Sequence, residues 1–439
     1  MDVCVISPDL YTYGAMLIGG IIQDEGHEVR LDTKFSPDVS GPARAVLLSL
    51  YSTQHLLDPR IRDFVRSCRS SGQKCYIGGP VSAYPDMVLG ELAPDAVVLG
   101  EGEPTVVPLI ENGITPSLTG IAFRNEPGGE PEIRPGTPPR DIEHPLPFIP
   151  RDIGSQSIRG ANVYIETHRG CTGGCTFCQV PRFFGRSIRS REVSAIVREV
   201  KAFQDAGARR ISISGGTGSL YCHAGSGINT EAFVNLLAGI AGVAGPRNVS
   251  SPDIRADCIN DEVLEAIRNH TIGWVFFGVE SGSNRILRDM GKGIRIEQVA
   301  DAIGQCRQHG LKVAGSFIVG YPTETLDDYE ATKDFISAQQ LDDVFVSVAE
   351  PIPSTPLAAL ALKTPRGKNP LYIPTQGEYR ALKLTESEAR CFDLMMHADM
   401  CKPGLHVVTS QVYDTYLGEA RKQGNEIRAV TELIHRYHG

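Results

Sequence analysis

Short apolar runs separated by stretches of helical period fill the first part of the chain. VCVIS from Val3, HEVRL from His27 and AVLLSL from Ala45 read as strands, with a helix from Ala15 to Glu25 between the first two. The rhythm continues through an amphipathic stretch from Pro59 to Ser70, KCYIGG from Lys74, a helix near Asp86, DAVVLGEGE from Asp95 and a closing helix after Pro104. Strands joined by helices of this length require right-handed crossovers, which predicts a parallel, doubly wound sheet with its ligand at the carboxyl ends of the strands. The turns at those ends carry small or polar residues that let a large ligand approach the backbone. They are Leu10, Tyr11, Tyr13 and Gly14 after the first strand, then Ser49, Ser52 and Thr53, then Gly78, Gly79 and Pro80, and last Gly100, Glu101, Gly102 and Glu103.

From roughly Glu111 to Gly160 the pattern weakens, and the prolines and charges of PGGEPEIRPGTPPRDIEHPLPFIPRD suit an exposed connection. A second β/α series follows: NVYIETH from Asn162, RRISIS from Arg209, a strand near Ser250 to Ala256, WVFFGVE from Trp274, KVAGSFIVG from Lys312 and VFVSVA from Val344. Six such units close only part of an eight-fold barrel, leaving a lateral opening for a bulky substrate and chemistry at the strand ends. The expected division of this α/β chain is a doubly wound domain at 1–125, a linker at 126–160, a partial (β/α)6 barrel at 161–355 and a helical region at 356–439.

A chain of 439 residues exceeds what one hydrophobic core supports, and its 41% hydrophobic and 22% charged residues are those of an ordinary globular protein. Net charge is −9 with Lys and Arg dispersed rather than gathered into a stripe, so the footprint of a nucleic-acid binder is missing and a protein or small-molecule substrate is expected. No window approaches the apolar length of a spanning helix, and the opening MDVCVISPDL is a strand pattern without a basic leader, which sets the expectation of a cytoplasmic protein away from membranes. The 11 cysteines are then reduced thiols, and a cluster of them implies metal.

That cluster is His168-Arg169-Gly170-Cys171-Thr172-Gly173-Gly174-Cys175-Thr176-Phe177-Cys178, directly after a strand. Thiolates hold iron-sulfur clusters, the glycines let a loop wrap a cubane, and three ligands leave one iron open, the mark of a catalytic metal. A zinc site completed by His168 or another residue, or plain buried thiols, is the competing reading. Cys-x3-Cys-x2-Cys after the first strand of a partial barrel resembles the signature of radical S-adenosylmethionine (SAM) enzymes. The resemblance implies a 4Fe-4S cluster on Cys171, Cys175 and Cys178, with SAM on the open iron. It also implies SAM contacts from Gly215, Gly216 and Thr217, where the family's usual acidic residue is Thr217, from Arg255 near the SAM carboxylate, and from Glu280, Ser281 and Ile318 in the segments Gly278–Gly282 and Gly315–Pro322.

A Rossmann-like domain ahead of such a barrel resembles the cobalamin-binding subgroup of that family, and the two resemblances together cover about residues 1–355. The Asp-x-His-x-x-Gly motif that supplies a cobalt ligand in many cobalamin domains does not occur. The subgroup's chemistry is methylation of an sp3 carbon by a 5'-deoxyadenosyl radical and methylcobalamin, fed by a low-potential electron donor. In the loop after the second barrel strand, Tyr221 and Cys222 are candidate substrate-side residues, although ordinary turn residues would read the same way. Overall the chain resembles the methanogen enzymes that C-methylate a glutamine of methyl-coenzyme M reductase, which implies a protein substrate, the alpha subunit of that reductase. Two readings stand beside it: a methylase or cyclase acting on a lipid, tetrapyrrole or natural-product precursor, and an iron-sulfur electron-transfer protein that does not cleave SAM.

Overall fold

The structure is a computed structural model, and it describes all residues except 36–40, 127, 224, 226, 405–406 and 439. The chain divides into two compact units. The first is Met1–Gly170, Arg182–Ser214 and Gly242–Asn248; the second is Cys171–Pro181, Gly215–Ala241 and Val249–Gly439.

The first unit is built on a seven-stranded sheet of β1 (Asp2–Ile6), β2 (Glu28–Asp32), β3 (Ala45–Ser49), β4 (Lys74–Gly78), β5 (Ala96–Val98), β6 (Ile121–Arg124) and β7 (Pro131–Arg134), in the order β2-β1-β3-β4-β5-β6-β7. The first five strands pair in parallel, as the alternation of strands and helices requires. Val3, Val5, Leu47, Tyr76, Ala96 and Val98 pack with Ala15 and Ile22 of the helix Tyr13–Asp24 and with Val106 and Leu109 of the helix Glu103–Asn112. The chain leaves β1 toward β2 on one side and returns to β3 on the other, so a crevice opens at the carboxyl ends of β1 and β3.

β7 falls inside the expected linker at 126–160 and extends the sheet there, paired with β6 at the end of the expected first domain. They form an antiparallel hairpin on the edge of the sheet, with Ile121 opposite Arg134 and Ala122 opposite Ile133. Four-residue strands interrupted by proline and glycine carry too little alternation to stand out in sequence. The first unit also holds β8 (Val163–Glu166), the short antiparallel pair β9 (His168–Arg169) and β10 (Arg189–Ser190), and β11 (Ile211–Ser214), which runs parallel to β8 from Ile211 beside Val163 to Ser214 beside Glu166.

The second unit carries the short strands β12 (Val249–Ser250) and β13 (Asp253–Ile254), then β14 (Trp274–Glu280), β15 (Lys312–Val319) and β16 (Asp343–Val348). The last four form a parallel sheet in chain order. All six strands expected of the second series therefore form, and the α/β class holds. The region 356–439 is helical, but it clusters with the second unit rather than standing apart. Its helix Glu386–Cys401 packs on β16 and on the helix Ser410–His438, where Gly424 makes room for Glu388.

Candidate active site

The crevice of the first unit is a cleft of about 310 Å3, at the lower end of the roughly 300–1,000 Å3 of small-molecule pockets. Tyr13, Gly14, Ser49, Gly78, Gly79, Pro80, Gly100, Glu101, Gly102 and Glu103 line it, as expected from the strand-end turns. Gly79 has φ +91°, and a Cβ there would stand 2.7 Å from the Leu50 carbonyl oxygen, so the turn closes only around glycine. The facing wall comes from the ends of β8 and β11, through Glu166, Arg169 and Ser214, with Phe183 and Phe184 beside them.

Four expected residues are elsewhere. Leu10 and Tyr11 line a separate shallow site, where the Tyr11 hydroxyl donates to Asp152 (3.0 Å) and its backbone N–H to Gln156 (2.7 Å). The Ser52 hydroxyl accepts from the Gln54 N–H and caps the turn Thr53–Leu57, and Thr53 is buried with its hydroxyl 2.9 Å from that of Tyr84. A turn contains residues that face the ligand and residues that hold the turn, and composition does not separate them.

Two charged networks lie in the walls. Arg169 is 4% exposed at its side chain and donates to Glu101 (2.7 Å), Glu166 (2.8 Å) and Glu103; Glu101 also takes Arg189 at 2.6 Å. Behind Tyr13, the hydroxyl donates to Glu199 (2.9 Å) and stands 3.1 Å from His144 Nε2, while Arg191 donates to both Tyr13 (2.9 Å) and Glu199 (2.7 Å). Burial raises the Glu199 carboxyl and the Tyr13 phenol above their ordinary values, and burial with the charge of Arg191 pushes His144 down to about 4. Sequence reading gave no role to Arg169, Glu166, Arg191 and Glu199, because the partners that tie these local pairs to the cleft, Glu101 and Tyr13, are far along the chain.

The cysteine loop belongs to the second unit. Cys171, Cys175 and Cys178 are half-buried. A Cβ on Gly173 would lie 3.3 Å from Cys171 Sγ and 3.9 Å from Cys175 Sγ, so both sulfurs turn toward one place, and the Gly173 N–H faces Cys171 Sγ at 3.4 Å. The loop is pinned by the Thr176 N–H donating to Met290 O (2.8 Å), by Leu357 N–H donating to Thr176 O (3.0 Å), and by the paired hydroxyls of Thr176 and Tyr321 (2.9 Å). Phe177 and Ile318 both pack against the buried cluster of Ile286, Met290, Tyr321, Ala349 and Leu357. Ile318 is thus placed against the loop's apolar support.

Burial raises the Cys175 and Cys178 thiols, while Lys292 and Arg255 pull Cys175 the other way. Lys292 is held by Glu280 at 2.8 Å, and Arg255 by Asp257 at 2.8 Å. Glu280 sits at φ +70° just past a register shift in β14, a bulge that re-aims a side chain at the strand end. Of the other expected SAM contacts, Gly215 and Gly216 are half-buried and Thr217 is buried at the start of a 3-10 turn. Ser281 is buried against Thr332. Tyr221 is 1% exposed, part of the core rather than of a polar loop, and Cys222 has a left-handed backbone (φ +52°) with its carbonyl taken by Asn229.

Among the described residues, no three His, Cys, Asp or Glu side chains converge closely enough to hold a single ion. Three thiols on one glycine loop, with the cations Lys292 and Arg255 acting on Cys175, suit an anionic thiolate-ligated cluster. The donor set therefore fits a 4Fe-4S group.

A loop of this kind at a strand end, with parallel β/α units after it, defines a radical SAM protein, and the radical SAM superfamily model matches residues 165–336. The chain belongs to that superfamily. Over 438 residues it is 53% identical to a Methanocaldococcus jannaschii protein that carries the provisional name methylthiotransferase, covering 99% of this chain and 96% of the relative. Two solved structures share the fold. TsrM from Kitasatospora setae, a radical SAM methyltransferase with cobalamin and a [4Fe-4S] cluster bound, matches with TM-score 0.71 at 17% identity over 98% of this chain and 99% of that one. The cobalamin-dependent radical SAM enzyme OxsB with aqua-cobalamin bound matches with TM-score 0.68 at 19% identity over 82% of this chain, which spans 60% of OxsB.

Proposed function

We propose that this chain is a cobalamin-dependent radical SAM methyltransferase acting on an unactivated carbon. The observation that carries the reading is the cleft at the switch point of the first sheet, walled by glycine turns and open to solvent at its mouth, in a chain that also holds the three-thiol loop. When bound, the cluster and cobalamin would supply the radical and methyl-transfer chemistry. The protein's own part is orientation. Cys171, Cys175 and Cys178 would hold the cluster, Lys292 and Arg255 lie where their charge favours the Cys175 thiolate, and the Gly78–Pro80 and Gly100–Glu103 turns would line the corrinoid site.

For the substrate we propose a carboxamide-bearing protein side chain, in keeping with the resemblance to the methylases of a glutamine in the alpha subunit of methyl-coenzyme M reductase. The relative's name would instead imply sulfur transfer. Cys4, Cys68 and Cys75 are buried in sheet and helix, so none of these three thiols of the first unit is presented to carry sulfur, which favours a bare methyl group.

The test is anaerobic turnover of reconstituted protein with SAM, reductant, cobalamin and a peptide spanning the reductase glutamine. Formation of 5'-deoxyadenosine, S-adenosylhomocysteine and a peptide heavier by one methyl supports the reading. A peptide heavier by methyl plus sulfur transfers the chain to the methylthiolating class, and neither nucleoside product overturns SAM chemistry altogether. A Cys171→Ala, Cys175→Ala, Cys178→Ala variant should lose iron and both products.

A further inference from the structure

The turn that follows the helix Asn284–Asp289 is packed directly against the cysteine loop. The Thr176 N–H donates to Met290 O at 2.8 Å, and a Cβ on Gly291 would stand 2.9 Å from the Gly174 carbonyl oxygen and 3.5 Å from Thr176 Cγ2. Two residues on, a Cβ on Gly293 would lie 3.8 Å from Arg255 Nη2, while Arg255 Nη1 is 3.7 Å from the corresponding position on Gly173, between the first two cysteines. Lys292 is thus carried on a turn that touches the loop on one side and Arg255 on the other.

The Lys292 side chain turns inward, and its partner among the described residues is Glu280 Oε1 at 2.8 Å. Gly278 leaves the room for this pair, since a Cβ there would stand 2.6 Å from Glu280 Oε1 and 2.9 Å from Lys292 Nζ. The side chains of Lys292 and Glu280 are 8% and 9% exposed, against 14% and 29% for Arg255 and Asp257, so water screens the field of Lys292 least. Lys292 is also the cation that acts most strongly on Cys175, ahead of Arg255 and against Glu280, and it acts on Cys178 as well.

A thiolate-ligated cluster is anionic and gains one more negative charge on reduction, so a dry cation beside it stabilises the reduced form and a carboxylate opposes it. We propose that Lys292 and Glu280 set the reduction potential of the cluster: the ammonium raises it, and the carboxylate both positions the ammonium and partly cancels it. The proposal rests on the cluster reading above and adds which electron donors that cluster can accept from. The step is the transfer of one electron from a low-potential donor, with no bond formed or broken.

The test is an anaerobic potentiometric titration of the reconstituted full chain without SAM, using titanium(III) citrate as reductant and electron paramagnetic resonance to read the reduced cluster. At the wild-type midpoint, Lys292→Met should lower the ratio of reduced to oxidised cluster about tenfold, or about 59 mV for one electron. Glu280→Gln should raise the ratio, and the double variant should fall between the two. A merely structural pair would lose iron or Tm in each variant while the cluster that remains keeps its midpoint. Unmoved midpoints, or shifts of both single variants in one direction, overturn the assignment. Should Lys292→Met load no cluster, Glu280→Gln decides alone, and a ratio that is unchanged or lowered overturns it. A wild-type chain that takes up no iron sinks the cluster reading, and the proposal with it.

Discussion

Gly170, the residue before the first cluster cysteine, has φ +95°, and a Cβ on it would overlap the carbonyl oxygen of Ser187 and lie 3.0 Å from its carbon. Gly170→Ala therefore meets two costs. The left-handed backbone costs an L residue about 1–2 kcal/mol, and relieving overlap with a backbone carbonyl costs about 1–3 kcal/mol more. Relief requires moving the segment that leads into β10, whose pairing with β9 holds Arg169 and so the entry to the cysteine loop. The expected loss is roughly 2–5 kcal/mol, which for a unit of this size lowers Tm by roughly 5–15 °C. Gly174→Ala in the same loop is the control, since nothing lies within 4 Å of its Cβ position and its φ is not in the left-handed region. Differential scanning calorimetry of apo-protein, with iron and sulfide analysis after anaerobic reconstitution, reads both effects. The alanine at 170 should lower Tm and iron content together, and the alanine at 174 should leave the apo Tm within about 1 °C. A Gly170→Ala protein with wild-type Tm and full iron would refute the view that this backbone aims the loop.

Tyr13→Phe keeps the ring that faces the cleft and deletes the hydroxyl shared by Glu199, Arg191 and His144. Thermal unfolding should show a loss of about 1–3 kcal/mol, with hydroxocobalamin affinity held within about twofold; weakened affinity at unchanged Tm would contradict that division of labour. Glu350, just past β16, has its carboxyl raised above the ordinary 4.5 by burial and by Glu426. The folded state thus holds that proton more tightly than the unfolded one, and the stability this gives is complete below the unfolded value and lost as pH rises through the folded one. Glu350→Gln should accordingly raise Tm over wild type near about pH 8 and give no gain near about pH 4, and an equal gain at both would exclude the linkage.

What sequence reading could reach was set by distance along the chain. The cysteine loop was legible because its ligands and glycines fall within eight residues and follow a strand whose alternation is plain. The glycine turns of the cleft were legible as strand ends, and the parallel order followed from the helices between them. Arg169 was in view as part of the cysteine segment, yet its partner Glu101 lies 68 residues earlier, and no local period announces such a pair. Tyr221 failed for the opposite reason: Leu220-Tyr221-Cys222-His223 looks like a polar loop, but packing takes Tyr221 into the core. The hairpin of β6 and β7 was hidden by proline and glycine, which mark its ends as readily as they mark a tether.

That hairpin decides how the first sheet meets solvent. Without it the sheet would finish on β5, three buried apolar residues with one row of peptide groups unsatisfied, an invitation for another chain to add on. The margin instead falls on β7, where Pro131 has no amide hydrogen to offer and Glu132 and Arg134 form an ion pair. At the far side β2 ends the sheet with Glu28, Arg30 and Asp32. Both borders are thereby guarded against edge-to-edge aggregation.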